Sequence, residues 1–313
     1  MVGARTSRGW AAALGLVIVA ATFSAVQPAL LILVPLAFLL LGLPPWRPAL
    51  VVLGLICMAL PFPLYLGLGA GPVWYIERGW ALVLGAWFLV MVVALPRANF
   101  LARALAAVFS SAASVGAILV LARGEWSKLD AAFASQFSEA ASQVASVWAG
   151  EGSRFGGELA RMAYRAADLQ RLVYPGMTAL ASVAGLGVAW WAYRRIGSGE
   201  LRPLGRLREF RFRDELVWPF LIGLALVLVG AGDELALRAG SNVVLFMGAL
   251  YALRGAAVLL ALAGAPGPLA IALGAVGIVL LYPLVMGATL VIGLSDTWLD
   301  FRARHARRPM KED

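Results

Sequence analysis

The sequence predicts an all-helical membrane protein with several spans, and three observations lead to that fold class. Hydrophobic residues make up 62% of the 313 residues and charged residues only 14%, which is far from the composition of a soluble domain. Nine apolar stretches recur along the chain, most of them near the ~20 residues that a helix needs to cross ~30 Å of hydrocarbon. The alternation of a barrel strand does not occur, and a helix satisfies its own backbone groups in lipid. We therefore expect a polytopic bundle of about eight to ten membrane-embedded helices.

The apolar stretches follow one another with short polar breaks. The first comes after a basic N-terminus and has some features of a signal peptide, but hydrophobicity resumes directly after Gln27 and Pro28. An uncleaved first span that turns at these residues is therefore the favoured interpretation. The approximate bounds of the stretches are 10–26, 28–43, 49–69, 79–96, 104–122, 172–193, 216–231, 242–264 and 268–295.

Arginines set the predicted orientation, because cytoplasmic loops of membrane proteins accumulate Lys and Arg. Arginines precede the first stretch, follow the second, and separate the fourth from the fifth. All of these positions lie on one side of the membrane if the N-terminus is cytoplasmic. A loop with seven arginines, from Arg194 to Arg213, follows the sixth stretch and agrees with that orientation. The first six crossings are thus mutually consistent.

The last third of the chain leaves two alternatives for the number of crossings. Three more crossings would place the basic tail outside, although it carries several arginines. Either the run from Pro268 breaks at Tyr282 and Pro283 into two half-spans, or the stretch 216–231 enters the membrane and returns. We expect an even number of crossings, with both termini in the cytoplasm of a bacterial cell and the chain in its inner membrane.

These assignments divide the chain into four regions. Residues 1–122 form an N-terminal five-helix membrane region, and residues 123–171 form an extracytoplasmic amphipathic segment. Residues 172–301 form a C-terminal membrane region that includes a cytoplasmic basic loop at 194–215. Residues 302–313 form a basic cytoplasmic tail.

The segment from Arg123 to Arg171 is the one sizeable polar part of the sequence, with six basic and six acidic residues. Apolar residues recur at helical spacing from Phe133 to Val147 and again from Leu159 to Leu169, with Gly150 and Gly152 between the two runs. This pattern predicts an amphipathic helical hairpin. The hairpin either lies on the outer leaflet and caps the bundle, or forms a lid over a substrate cavity.

One full charge, Arg254, stands inside the apolar stretch 242–264. A charge at the centre of a membrane helix costs about 2.5 to 3.5 kcal/mol on insertion scales, so such residues usually face a partner or water. Asp296 is the first candidate partner because it ends the adjacent apolar stretch, and Asp233 and Glu234 are further candidates. The pair either fixes helix register or belongs to a site that binds an anionic group or relays protons. Other carboxylates considered are Asp214, Glu215, Asp300 and Glu77.

The basic loop before the seventh stretch alternates apolar and charged residues. Such a segment suits the lipid headgroup region, where rings are shallowly buried and arginines contact anionic phosphates. The alternative is a docking surface for a cytoplasmic partner. The residues predicted at the membrane interface are Arg202, Arg206, Arg208, Arg211, Arg213 and Trp218.

Several kinds of chemistry have no residues to support them. Cys57 and His305 are the single cysteine and histidine, which excludes an intrachain disulfide, a thiolate metal site and a histidine-based catalytic centre. The sequence contains no Walker, GxSxG, HExxH or dinucleotide motif. We therefore predict no enzyme activity, no catalytic residues, no metal and no cofactor. The net charge of +9 sits at the ends of apolar stretches, so we expect no nucleic-acid partner.

Three segments, LREFRFRDELVWPFLIGL, NVVLFMGALYALRGAAVLL and GLSDTWLDFRARH, together resemble the YybS-like family of predicted bacterial multi-pass membrane proteins, a domain of unknown function. The resemblance covers about residues 170 to 308, with Pro175 at the head of the preceding helix. Arg254 departs from it, because glutamine is more usual there. The N-terminal half, with its short second helix from Pro28 to Leu43, resembles the substrate-binding subunits of energy-coupling factor vitamin transporters.

The resemblance implies a fold and a cellular location, with both ends of the bundle inside, and it implies no ligand residues. The expected function is a small-molecule binding or transport component. The alternative is a non-transporting scaffold that docks cytoplasmic or cell-envelope partners through the basic loop and tail. The expected contacts are the lipid bilayer and its anionic headgroups, together with a small-molecule ligand or a protein partner.

Overall fold

The structure is a computed structural model, and its helices agree with the predicted all-α fold class. It describes residues 13–18, 20, 27–62, 71–122, 125–149, 156–197, 199, 204, 207–263 and 281–306. Every regular element in these ranges is helical. The chain divides into two compact units, Met1–Leu204 and Gly205–Asp313. We call them unit 1 and unit 2.

Four of the described helices are long and apolar enough to cross a membrane. Their lengths range from 22 to 41 residues, or more than the ~20 residues that a span needs. The four helices are Pro72–Ala94, Phe100–Leu121, Gly157–Gly197 and Glu234–Leu262. Shorter apolar helices lie at Pro28–Gly42, Pro48–Ala59 and Leu284–Leu299.

Unit 1 contains helices α1 to α6, and local signals explain where several of them begin. Proline stands in the first turn of α1, α2 and α3, where its fixed φ suits a helix start and its missing N–H is not needed. The Asn99 side chain caps α4 by accepting the N–H of Ala102 at 2.9 Å. The bounds are α1 Pro28–Gly42, α2 Pro48–Ala59, α3 Pro72–Ala94, α4 Phe100–Leu121, α5 Glu125–Ala149 and α6 Gly156–Gly197.

Helix α1 forms the centre of unit 1 and packs against α2, α3 and α6. It carries no charged side chain, and Leu30, Leu31, Leu39 and Leu40 are almost fully buried, as expected for a helix that is apolar on every side. Gly185 of α6 allows the closest approach, because a Cβ there would lie 2.7 Å from the carbonyl oxygen of Leu31. The core of unit 1 therefore depends on a small residue at this crossing.

Helix α5 and the first half of α6 form the predicted amphipathic hairpin. Phe133 of α5 stacks on Tyr174 of α6 with ring centroids 4.6 Å apart, and Asp130 pairs with Arg171 at 3.3 Å. The second arm is not a separate helix, because α6 runs without interruption through Pro175. The predicted boundary between 171 and 172 therefore falls inside a helix. At 1.5 Å per residue, the 42 residues of α6 extend over ~63 Å, about twice the hydrocarbon thickness.

Unit 2 contains α7 to α10 and short 3₁₀ turns. Helix α8 begins before the predicted apolar stretch 242–264, because Asp233 caps it by accepting the N–H groups of Leu235 and Ala236 at 2.9 and 3.4 Å. A capped start allows the polar residues that follow Asp233 to join the helix. The bounds are α7 Val217–Val229, α8 Glu234–Leu262, α9 Tyr282–Leu299 and α10 Phe301–Ala306, with turns at Leu207–Glu209, Asp214–Leu216 and Gly230–Gly232.

Glycines set the contacts of α8 with both of its neighbours. Against α9, a Cβ at Gly293 would lie 2.7 Å from the backbone N of Gly255, and a Cβ at Gly255 would overlap the carbonyl oxygen of Thr289. Against α7, a Cβ at Gly240 would lie 2.7 Å from the carbonyl oxygen of Gly223. Glycine pairs of this kind let helix backbones approach closely in lipid. Backbone contact therefore fixes the register of α8 on both sides.

Both alternatives for the last third of the chain have a counterpart in the described residues. Helix α9 begins at Tyr282 with Pro283 in its first turn, after a non-helical Leu281, as a break in the run from Pro268 requires. Helix α7 has 13 residues and is ~20 Å long, less than the ~30 Å of hydrocarbon. Residues 264–280 lie outside the described ranges, and the number of crossings stays a prediction.

Candidate functional site

Arg254 of α8 lies at the centre of an ion-pair network in unit 2. Its Nε donates to Oδ2 of Asp296 at 3.0 Å, and its Nη1 donates to Oδ1 of Asp214 at 2.9 Å. Arg254 and Asp296 are fully buried, whereas the Asp214 side chain is 47% exposed. Hydrogen bonds between charged groups are the strong ones. Two carboxylates therefore hold the guanidinium that the sequence places in an apolar helix.

Asp296 is shared between two arginines and a backbone group. Its Oδ2 also accepts from Nη2 of Arg302 at 2.9 Å, and its Oδ1 accepts the N–H of Phe301 at 3.2 Å. The chain turns back at Asp300, whose φ of 40° is in the left-handed region that Asp adopts more readily than most residues. That turn ends α9 and brings Phe301 and Arg302 back to the Asp296 carboxylate.

Arg211 of the basic loop connects further carboxylates to this network. Arg211 lies 3.7 Å from an oxygen of Asp214 and 3.4 Å from an oxygen of Asp300. Positive and negative groups alternate along this path, so the network carries no net charge. We call it the alternating ion-pair network, and its members in order are Asp300, Arg211, Asp214, Arg254, Asp296 and Arg302.

The network attaches the basic loop to the helices of unit 2. Nη1 of Arg302 donates to the carbonyl oxygens of Phe210 and Arg208 at 3.0 and 3.3 Å. The Phe212 ring lies 5.3 Å from Cζ of Arg254 and meets the Tyr251 ring edge-on at 5.1 Å. Residues 208–214 are therefore folded against α8 and the corner between α9 and α10.

Of the four residues predicted to form this site, the structure brings together Arg254 and Asp296. Asp296 contacts Arg254 directly. Asp233 and Glu234 lie at the other end of α8, about 30 Å from Arg254 along the axis at 1.5 Å per residue, so they are not its partners. Asp233 instead caps the helix. Asp214 takes the second position at Arg254 because the loop before α7 folds back, and residue spacing alone does not indicate this.

The residues predicted at the membrane interface are found in different settings. Arg202 and Arg206 lie outside the described residues. Arg211 belongs to the alternating ion-pair network, and the carbonyl of Arg208 accepts from the α10 side chain Arg302. Trp218 is 64% exposed at the start of α7, as an interfacial anchor would be.

Arg213 pairs locally with Glu215 through two hydrogen bonds of 3.0 and 3.2 Å. The hydrogen bonds with Glu215 raise the pKa of Arg213. Those from Arg213 lower the pKa of Glu215, so the pairing is present at neutral pH and lost as the pH falls through that depressed pKa. Both side chains are largely exposed, and such surface pairs contribute little to stability.

We expect Arg302→Gln to loosen the basic loop. The substitution removes the charge that holds Asp296 and two loop carbonyls, and hydrogen bonds to charged groups contribute about 1.5 to 3 kcal/mol each. Trypsin should therefore cleave after Arg208, Arg211 and Arg213 about tenfold faster or more than in the wild-type protein. Arg304→Gln removes a neighbouring exposed arginine and is the matched control. Equal cleavage rates in the two variants would contradict the attachment.

Unit 1 contains a cavity of about 420 Å³ between the start of α3 and helix α5. Its size lies within the range of ~300 to 1,000 Å³ that small-molecule sites occupy. The polar and aromatic part of its lining comes from Gln27, Trp74, Glu77, Ser135, Gln136 and Glu139. Gln27 precedes α1, and Trp74 and Glu77 lie in the first turns of α3. The other three residues lie on α5.

Glu77 is the buried charge of this cavity, with 5% of its surface exposed. The backbone N–H of Gln27 favours its ionised form. The neighbouring Arg78 is directed elsewhere: its Nε and Nη1 donate to the carbonyls of Pro61 and Trp74 at 2.8 and 3.1 Å, and its guanidinium lies 3.8 Å from the centre of the Trp74 ring.

The cavity is the feature that sequence reasoning missed. The apolar stretch was predicted to begin at residue 79, whereas α3 begins at Pro72 and includes Glu77 and Arg78. Glu77 was considered only as a partner for Arg254, but it lies in unit 1 and lines this cavity. The available signal was an acidic residue directly before a long apolar run.

A second cavity of unit 1, of about 290 Å³, lies among α3, α4, α5 and α6. Its lining is almost wholly apolar and includes Trp80, Val108 and Phe133. The indole N–H of Trp80 donates to Oγ of Ser182 at 3.0 Å. None of the described residues that line this cavity is charged.

Within the described ranges, no group of three or more His, Cys, Asp or Glu residues is arranged to hold a metal ion. Comparison of the chain with protein-family models, with curated proteins and with solved structures finds no match. The resemblance to YybS-like proteins and to vitamin-transporter subunits therefore stays a prediction.

Proposed function

We propose that this chain is a multi-pass protein of the bacterial inner membrane that binds a small polar solute in the cavity between α3 and α5, as a binding or transport component. The observation that carries the proposal is the cavity itself, which is about 420 Å³ in volume and has the buried Glu77 in its wall. Pockets of this size with a few polar groups are the usual form of small-molecule sites.

The predicted orientation supports an opening on the extracytoplasmic side. If the N-terminus is cytoplasmic, Gln27, the start of α3 and the whole of α5 are outside. Gln27 and parts of both helices line the cavity. Helix α5 then covers the cavity, which favours the lid over the surface-lying hairpin.

The scaffold alternative has less support, because it requires the charges of the basic loop to be available to a partner. Arg211 is paired with Asp214 and Asp300, and Arg213 is paired with Glu215. The alternating ion-pair network is neutral as a whole. Its main role in this proposal is to hold the helices of unit 2 in register.

The test compares two substitutions on the same helix. Ser135→Trp places a large ring in the cavity from an exposed position of α5, whereas Ser138→Trp adds the same ring at an exposed position that does not line the cavity. We expect mass spectrometry of detergent-purified protein to find a small molecule that is retained by the wild-type and Ser138→Trp proteins and lost from Ser135→Trp. Equal content in all three proteins, or none in any, would contradict the proposal.

A further inference from the structure

We propose that the ligand of the α3–α5 cavity is an organic cation that carries an ammonium group. The inference rests on the proposed function and adds the chemical class of the solute. It is based on the charges of the lining: among the lining residues that the structure describes, two are carboxylates, Glu77 and Glu139, and none is basic. The lining also offers an indole at Trp74 and neutral polar groups at Ser135 and Gln136.

Glu77 is the residue that most requires a positive partner. An ionised carboxylate removed from water is stable only when it is paired and hydrogen-bonded. The backbone N–H of Gln27 and the neighbouring charge of Arg78 favour its ionised form. Arg78 is adjacent in sequence but its donors go to the carbonyls of Pro61 and Trp74. An ammonium group in the cavity would place a second positive charge beside this carboxylate.

Glu139 extends the same preference to the rim of the cavity. It lies on the α5 side of the lining and is exposed, so water solvates it and its own pairing is worth little. A carboxylate at the mouth of a concave site nevertheless raises the local concentration of cations. In this proposal Glu77 therefore determines the affinity for the ligand, and Glu139 attracts cations to the opening of the cavity.

An anionic ligand is the first competing class, because the N-terminus of α3 also lines the cavity. A helix N-terminus favours an anion by about 0.3 to 1 kcal/mol. The N–H of Trp74 is already donated to the carbonyl of Gly71, and Pro72 has no N–H. An anion would also be placed beside Glu77 and Glu139. The repulsion from two carboxylates outweighs the attraction of this helix end.

A metal ion is the second competing class. Within the described chain, no group of three metal-binding side chains occurs, and the cavity of about 420 Å³ is many times larger than an ion with its ligands. Ca²⁺ takes six to eight oxygen ligands at about 2.3 to 2.6 Å. An organic cation fits within this volume, and its apolar part can contact Val73 and Trp74.

The test uses three probes that share a head of three methyl groups and differ in charge: choline, its uncharged carbon isostere dimethylbutanol, and the smaller anion trimethylacetate. Each is added at millimolar concentration to the full-length protein in a neutral detergent, and the unfolding temperature is recorded. A ligand that binds only the folded state raises that temperature by mass action. We expect choline to stabilise the wild-type protein and the other two probes to leave it unchanged.

Substitutions connect the charge preference to the residues. Glu77→Gln keeps the shape of the side chain and an acceptor for Gln27, and should weaken choline binding about tenfold or more because the charge is removed from a buried site. Glu139→Gln should weaken it about twofold to threefold, since the rim is solvated. Glu158→Gln, an exposed acidic position of α6 outside the lining, is the control and should bind as the wild type does.

The outcomes separate this inference from the function on which it rests. Dimethylbutanol or trimethylacetate could stabilise the protein as much as choline does, with an effect that Ser135→Trp abolishes and Glu77→Gln leaves unchanged. That result would support a solute cavity and overturn the preference for a cation. Absence of stabilisation by choline in the wild-type protein would overturn the cation as well. The proposed function itself fails only if Ser135→Trp leaves the content of co-purified small molecules unchanged.

Discussion

Asp296→Ala is expected to lower the free energy of unfolding of the protein by about 3 to 5 kcal/mol, because removal of one partner leaves buried charge without compensation. Asp296 is the fully buried acceptor of Arg254 and also binds Arg302 and the N–H of Phe301. Without it, the buried Arg254 keeps only Asp214, which is half exposed. The loss therefore affects both the buried cation and the corner that follows α9.

Arg254→Leu should be better tolerated than Asp296→Ala. In that variant Asp296 keeps Arg302 and the N–H of Phe301, and Asp214 keeps water and Arg211. A leucine also suits the apolar surroundings of α8, and the substitution leaves no buried charge without a partner. We expect a loss of about 1 to 2 kcal/mol at most, which includes the smaller volume of leucine.

The order of the two variants can be measured by thermal unfolding in detergent, followed by loss of the monodisperse peak in gel filtration. Arg213→Leu, an exposed arginine of the same loop with 84% of its side chain accessible, is the control and should behave as the wild type. Removing both charges in the double variant should recover part of the stability lost in Asp296→Ala. A lower stability for Arg254→Leu than for Asp296→Ala would show that the carboxylate is not the critical partner.

Gly293→Ala is expected to have the second-largest effect, because one added methyl group meets backbone at the crossing of α8 and α9. The new Cβ would overlap the carbonyl oxygen of Tyr251 and lie 2.7 Å from the backbone N of Gly255. Backbone atoms within a helix cannot move aside singly, so the helices must separate. We expect a loss of about 1 to 3 kcal/mol, in the range of overpacked cores.

Gly287→Ala is the matched control for this crossing. It lies on the same helix, and a Cβ there has no neighbour within 4 Å, so the replacement should be neutral or slightly stabilising through helix propensity. Unfolding temperatures of the two variants in the same detergent give the comparison. Similar values would mean that α8 and α9 are not in backbone contact at Gly255 and Gly293.

The apolar pattern was sufficient to predict the fold class and the positions of most helices. It failed at helix starts, because caps and polar first turns add residues that carry no apolar signal. Helix α8 begins earlier than predicted because Asp233 caps it, and α3 begins earlier than predicted, at Pro72. It also treated the polar and apolar parts of α6 as separate segments. The helix continues through Pro175, so the polar and apolar parts belong to one element.

The ion pair of Arg254 and Asp296 could be predicted because an isolated buried charge needs a partner and few were available. Asp214 was among the other carboxylates considered, but residue spacing did not favour it, and Arg302 was not predicted at all. Both contacts depend on a loop that folds back and on the left-handed turn at Asp300. The cavity was not predicted because its wall combines residues from distant parts of the chain, Gln27, Glu77 and Glu139 among them.

The alternating ion-pair network also determines when Arg254 becomes neutralised during synthesis. Asp214 lies 40 residues before Arg254 and is already made when α8 leaves the ribosome, whereas Asp296 lies 42 residues after it. The sequence of α8 is therefore complete when only one of the two carboxylates exists, and Asp296 follows in the last turn of α9. A chain that stops before Asp296 would contain Arg254 with only one of its two carboxylate partners. We expect the cell's quality-control proteases to degrade such a chain.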